Sequence, residues 1–140
     1  MQTLAIIKPD AVASGKAGLI LAHLLEAGFS LEAARLVRLT RPQAEAFYGV
    51  HKGRPFFDEL VAFMTSGPCM PLALARTDAV AHLRKVIGAT DPAEAAPGTI
   101  RKLYAESKGR NAIHASDSDE NAAREIGFFF AEGELAGLQG

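Results

Sequence analysis

Apolar and polar positions along the chain switch between the period of a strand and the period of a helix. Leu4 to Ile7 form a short apolar run halted by Lys8-Pro9-Asp10, the pattern of a buried strand meeting a turn. From Gly18 to Ala27, Leu19, Ile20, Leu24 and Leu25 share one helical face, and Gly28 closes the segment. Phe29 to Leu39 carries apolar residues with Glu32, Arg35 and Arg38 between them. That predicts a half-buried strand with an irregularity in its alternation.

Thr40-Arg41-Pro42-Gln43 is a capping-box pattern that opens a short helix through about Tyr48. A second helix is expected from near Pro55, a residue tolerated in a first turn, and carries Phe56, Leu60, Phe63 and Met64. Ser66-Gly67-Pro68 breaks it before an apolar run from Cys69 to Ala75, read as a strand. Thr77-Asp78 caps a helix reaching about Ile87, and Gly88 to Gly98 is a loop rich in proline and alanine. A short helix around Ile100 to Tyr104 follows, then a strand candidate at Asn111 to Ala115. Ser116-Asp117-Ser118-Asp119-Glu120 supplies caps and N-terminal acids for a last helix to about Gly127. The glycine-rich tail, Ala131 to Gly140, is expected to be loose. Two strand-helix-strand halves predict an α+β sandwich of ferredoxin-like type, a four-stranded antiparallel sheet covered by helices. No repeat, linker or low-complexity segment divides the chain, so residues 1–140 are read as one domain.

With 140 residues the chain is long enough to bury a core without staples. Its formal net charge of -1 leaves no electrostatic footprint for nucleic acid or an anionic membrane, so any phosphate-binding charge must be local. Cys69 is the only cysteine, which excludes an intrachain disulfide and fits a reducing, cytoplasmic setting. Within Cys69-Met70-Pro71-Leu72 it reads as a core thiol. No stretch approaches the ~20 apolar residues that span a bilayer, and the N-terminus lacks the pattern of a signal peptide.

Ser14-Gly15-Lys16-Ala17 imitates the end of a Walker-type loop, but Asp10 stands where its first glycine belongs and Ala17 where its metal ligand belongs. The informative segment is Asn111-Ala112-Ile113-His114-Ala115-Ser116-Asp117. A histidine ending a strand, with hydroxyl and acidic residues just after it, can be held in one tautomer with a free lone pair. Taken alone, such a histidine is most often structural. His23, His51 and His82 form no metal-ligand spacing with it, which argues against zinc. Lys8 ends a strand, Arg84 lies in a helix, and Arg101 follows the Pro97-Gly98-Thr99 turn; each alone is most often a surface charge. Together with Thr90 and Asn111 they could form a ring of donors for phosphate, which is what phosphoryl transfer requires.

On these residues the chain resembles the nucleoside diphosphate kinases over nearly its whole length. The segment around His114 is similar to the family's active-site signature. Ile6-Ile7-Lys8-Pro9-Asp10, Arg54-Pro55-Phe56-Phe57, Thr65-Ser66-Gly67-Pro68, Gly88-Ala89-Thr90-Asp91-Pro92 and Pro97-Gly98-Thr99-Ile100-Arg101 resemble further blocks in the family's order. The resemblance implies that His114 becomes a phosphohistidine in a ping-pong transfer between nucleoside triphosphates and diphosphates. It implies Lys8 on the transferring phosphate and ribose, and Tyr48 as a hydroxyl donor near the nucleophile. Arg84, Thr90 and Arg101 would hold phosphates with His51 contributing, and Asn111 would hold the ribose. Phe56 would stack on any base, and Ser116 and Glu125 would brace the histidine. Mg2+ would arrive on the nucleotide phosphates rather than on protein ligands, with Asp117 reaching it through water. A homo-oligomer is implied too, a tetramer favoured, with a dimer or hexamer as alternatives.

The chain departs from the family at Ala115, where glycine is usual; a need there for glycine's conformational freedom, or for the close approach it allows, would cost affinity or rate, though one added methyl is expected to leave activity intact. Ala89 replaces a frequent acid without touching an expected contact. A non-catalytic nucleotide-binding scaffold would have lost His114, Lys8 or an arginine, and all are present. A nucleic-acid-binding α+β domain would interleave basic and aromatic residues on its strands, which here show only Phe29 and a few charges.

Overall fold

Strand β1 (Gln2–Ile7) lies inside a four-stranded antiparallel sheet, between β3 (Met70–Ala75) and β4 (Ile113–Ala115), with β2 (Ser30–Ala34) on the far side of β3. The computed structural model describes residues 1–139. The connections are helical: α1 (Pro9–Ala13) and α2 (Ala17–Glu26) before β2, then α3 (Arg41–Phe47), a 3-10 turn at Gly49–His51 and α4 (Phe57–Met64) before β3. Helices α5 (Ala79–Ile87) and α6 (Ile100–Tyr104) precede β4, and α7 (Asp119–Phe129) and α8 (Glu132–Gln139) follow it. The order β2-β3-β1-β4 is the expected ferredoxin-like arrangement.

Successive side chains of a strand point to opposite faces, and the two cores follow that rule. Ala5 and Ile7 of β1, Leu72 and Leu74 of β3, and Ile113 and Ala115 of β4 pack with Ile20 and Leu24 of α2 and Leu83 and Ile87 of α5. Leu4 and Ile6 of β1 and Ala73 of β3 pack on the other side with Phe47 of α3, Val61 and Met64 of α4, and Ile126 and Phe129 of α7. Helices therefore cover both faces of the sheet. His114 lies between Ile113 and Ala115 and so falls on the face of α3 and α7, opposite Ile6 in register.

Four local differences from the pattern-based reading have physical causes. Lys8-Pro9-Asp10 opens the short helix α1 instead of a plain turn, because proline is suited to a first helical position. β2 is shorter than Phe29 to Leu39, with its register shift between Leu31 and Ala33 and only a Val37–Cys69 bridge beyond it. Helix α4 begins at Phe57, leaving Phe56 as the capping residue outside it. The tail is not loose through Gln139: α8 forms there, with Leu135 packed on the second core and Glu134 taking both 2.9 Å donations from one nitrogen of Arg35. Tertiary contact there overrides the helix cost of glycine. Gly140 lies outside the described residues.

Gly88, which closes α5, has φ +88°, and a Cβ added to it would stand 2.6 Å from Thr99 Oγ1 and 2.7 Å from Thr99 Cβ. Thr99 caps α6 by accepting the Lys102 amide, and Arg101 donates to the Gly88 carbonyl at 3.1 Å. Gly88→Ala is expected to cost roughly 2–4 kcal/mol in urea unfolding, from backbone strain and overpacking. Gly127, inside α7 with open space where its Cβ would be, is expected to gain roughly 0.5–1 kcal/mol on conversion to alanine. An unaltered midpoint for Gly88→Ala would contradict the close approach.

Candidate active site

His114 is carried on β4 toward α7, where its Nε2 meets Glu125 Oε1 at 2.8 Å. The same oxygen accepts the Ser116 hydroxyl at 2.8 Å, so it acts as the acceptor and Nε2 carries the proton. Nδ1 then keeps its lone pair and has no partner among the described residues. The His114 side chain is 20% exposed, against 8% for Glu125. Burial lowers the imidazole pKa, the hydrogen bond and charge of Glu125 oppose that, and Lys8 and Arg101 reinforce the lowering. The ring is thereby held neutral, oriented and open on one nitrogen.

An open cleft of about 960 Å³ runs past this ring. On one side stand Lys8, Arg84, Thr90 and Arg101. Lys8 is buried at the end of β1 and donates from Nζ to Asn111 Oδ1 at 2.9 Å. Burial, then the Arg101 charge, brings its pKa down to about 8, against the pull of Asp10. Arg101 donates to the Gly88 and Ile113 carbonyls at 3.1 and 2.7 Å, and its enclosed Nε has no partner. Burial and neighbouring Arg84 bring Arg101 down to about 10. Arg84 reaches the Ala115 carbonyl at 3.4 Å. Lys8 and Arg101, desolvated cations with unfilled donor capacity, suit a polyanion, and exposed Arg84 stands beside them.

The cleft is also lined by His51, Phe56 and Phe63. Phe56 is 46% exposed while its neighbour Phe57 is 7% exposed and in the core. His51 lies beside Phe56 with ring centroids 5.2 Å apart. Tyr48 packs edge-on to His114 at 6.2 Å; its enclosed hydroxyl has no partner, and burial pushes its pKa up. Asp117 lies on the cleft and accepts from Asn121 at 2.6 Å. All the residues singled out from sequence thus gather at one place, with Ser116 just behind, bonded to Glu125.

Ala115 is a regular strand residue paired with Ala5, without positive φ, so glycine's freedom is not called upon at this position. Among the described residues no group of three or more histidine, cysteine or acidic side chains is arranged to hold a metal.

Other residues of the site were not singled out from sequence. Phe47 stacks edge-on against His114 at 5.5 Å, and Arg124 donates to the Phe47 carbonyl at 3.2 Å while standing 3.9 Å from Glu125. Lys108 and Arg110 line the cleft. Asp10 accepts the Ala112 amide at 3.0 Å. Phe47 reads as core in any helical pattern, and only the fold brings residues 10 and 112 together.

A family model described as nucleoside diphosphate kinase matches residues 1–135. The nucleoside diphosphate kinase of Sorangium cellulosum is 56% identical over 135 residues, covering 96% of this chain and 94% of that protein. That of Chlorobium luteolum is 55% identical over 134 residues, covering 96% of each. Among solved structures, the Aquifex aeolicus nucleoside diphosphate kinase superposes with a TM-score of 0.94 at 47% identity, covering 96% of this chain and 97% of that one. The Halobacterium salinarum enzyme, solved in complex with CDP, has a TM-score of 0.91 at 39% identity, covering 96% and 90%.

Burial of Lys8 predicts one lysine titrating near pH 8 by NMR of the lysine side chains, against an ordinary value of about 10.4. Because an anion in the cleft favours the ammonium, adding a nucleotide is expected to move that titration upward. A Lys8 that titrates near its ordinary value in the free protein would contradict the desolvated site.

Proposed function

The chain belongs to the nucleoside diphosphate kinase family and is a phosphotransferase acting on nucleotides, and from that premise we propose a ping-pong reaction through a phosphohistidine at His114. The observation that carries the proposal is the Nε2–Glu125 bond, which leaves Nδ1 as the available nucleophile. Nδ1 attacks the γ-phosphorus of a triphosphate; the N–P bond forms as the bond to the β-phosphate oxygen breaks, and that oxygen keeps the electron pair. The diphosphate leaves, an acceptor diphosphate enters the same cleft, and its terminal oxygen takes the phosphoryl group back from Nδ1.

Lys8, Arg84, Thr90 and Arg101 stabilise the charge spread over the transferring group and its neighbours. Tyr48, packed edge-on to the His114 ring, supplies a hydroxyl donor, and His51 adds a polar contact. Asn111 takes a ribose hydroxyl, sharing Lys8. Ser116 and Glu125 keep the ring oriented through both half-reactions. Mg2+ would enter as part of the nucleotide substrate and offset phosphate charge, with cleft-lining Asp117 meeting it through water.

Phe56 presents its exposed ring to the base. Stacking reads no hydrogen-bonding edge, so broad base specificity follows. The Halobacterium salinarum relative solved with CDP supports acceptance of pyrimidines. We further read the chain as one domain over residues 1–140, working in the cytoplasm, where its single buried Cys69 stays reduced. Homo-oligomer formation is supported by β2, an edge strand, and by Leu19, Leu25 and Leu31, large apolar side chains left exposed on α2 and β2. No described helix is long and apolar enough to cross a membrane.

The test is intact mass after mixing with ATP and magnesium and no acceptor. One phosphoryl group is expected, lost in acid, removed by GDP and absent in His114→Ala. Near-normal ATP-to-GDP turnover by His114→Ala would sink the mechanism. Phe56→Ala is expected to weaken purine and pyrimidine nucleotides alike, by about 1–3 kcal/mol; a loss confined to one base would contradict stacking. Ala115→Gly is expected to leave turnover within about twofold, since the strand there needs no special backbone.

A further inference from the structure

Asp10, in the first turn of α1, is buried and does not line the cleft, so it has no access to substrate. Its Oδ2 accepts the Ala112 amide at 3.0 Å, across 102 residues of chain. Ala112 is itself buried and has φ +74°, a left-handed conformation that alanine adopts only when its surroundings impose it. The Ala112 carbonyl accepts the Lys8 amide at 2.9 Å. The backbone on both sides of this strained residue is therefore held by Lys8-Pro9-Asp10. One position earlier, Asn111 receives Lys8 Nζ; two positions later stands His114.

We propose that Asp10 is a positioning residue for phosphoryl transfer: by accepting the Ala112 amide it pins the left-handed turn that sets Asn111 against Lys8 and delivers His114 on β4. The proposal rests on the transfer reading above. Asp10 acts entirely through these neighbours. Its carboxylate replaces the strand partner that Ala112 forgoes by turning left-handed just before β4 begins.

The experiment compares rates of His114 phosphorylation by saturating ATP and magnesium in Asp10→Ala, Asp10→Asn and the double variant Asp10→Ala/Ala112→Gly, each checked for native circular dichroism. A misplacement near 1 Å in such a site costs on the order of a hundredfold. Asp10→Ala is expected to slow the saturated step roughly 10- to 100-fold, more than it changes the half-saturating ATP concentration. Asp10→Asn keeps an oxygen for the Ala112 amide and is expected within about threefold of wild type. Adding Ala112→Gly to Asp10→Ala is expected to restore about tenfold, because glycine takes the left-handed turn without steric cost. A merely structural role would not be relieved by that second substitution. A folded Asp10→Ala with wild-type rate overturns the proposal, as does an Asp10→Asn as slow as Asp10→Ala with no recovery from Ala112→Gly. Should Asp10→Ala not fold, Asp10→Asn and Ala112→Gly alone carry the test: both retain the turn, and a tenfold loss in either overturns it. A wild-type chain that forms no phosphoenzyme sinks the transfer reading instead, so the two failures are separable.

Discussion

A three-residue strand would by itself leave the His114 ring free to turn, and the 2.8 Å bond to Glu125 is the constraint that stops it. That bond needs three things from the rest of the fold. Strand alternation must send His114 away from Ile113 and Ala115, which belong to the core on the other face. Helix α7 must cross that face with Glu125 buried on its inner side, which Ile126 and Phe129 secure by packing into the second core. Ser116 must occupy the accepting oxygen from behind, so that the carboxylate cannot rotate away. Each requirement is met by an ordinary feature of the sheet and its helices, and the chemistry follows from their coincidence.

The charge around the ring is the second condition. The chain as a whole is nearly neutral, yet Lys8, Arg84 and Arg101 converge on one cleft, and none of the three is in a salt bridge among the described residues. The fold bears a cost for that. Lys8 is depressed to about 8, so its desolvation weakens the fold at pH values below 8, and the penalty fades as pH rises toward 10.4 and the lysine discharges in both states. A bound polyphosphate relieves the same penalty at neutral pH by supplying the missing counter-charge. Donors fixed before the substrate arrives need no reorganisation during transfer, which is how electrostatic stabilisation becomes catalysis. The same field, with burial, keeps His114 neutral, so the cations that attract the phosphate also protect the nucleophile.

Much of this was legible in the residues. Alternating and helical periods placed the strands, and the capping box at Thr40 is present as read, with Gln43 and Thr40 bonded reciprocally. The irregularity expected after Phe29 is the register shift at Leu31 and Ala33. Phe56, which only the family resemblance sets on the base, is the exposed ring, and Phe57 is in the core. What escaped reading depends on distance along the chain. The tail looked loose because its glycines are visible, while the packing of Leu135 on the core and the Arg35–Glu134 ion pair are not. Asp10 looked like a turn residue because its partner lies 102 positions away. Phe47 and Arg124 look like any helix residues until α3 and α7 are brought together. Local chemistry is written locally; support for it is written in the fold.

The central claim is that Glu125 decides which nitrogen of His114 is available. The most direct measurement is the nitrogen to which phosphorus is attached in the phosphoenzyme, read by phosphorus and nitrogen NMR after alkaline denaturation, which preserves the phosphoramidate. Attachment at Nδ1 is the result expected from an Nε2 committed to Glu125. Attachment at Nε2 would mean that the Glu125 bond does not survive in the reacting enzyme, and the orientation described here would then be wrong.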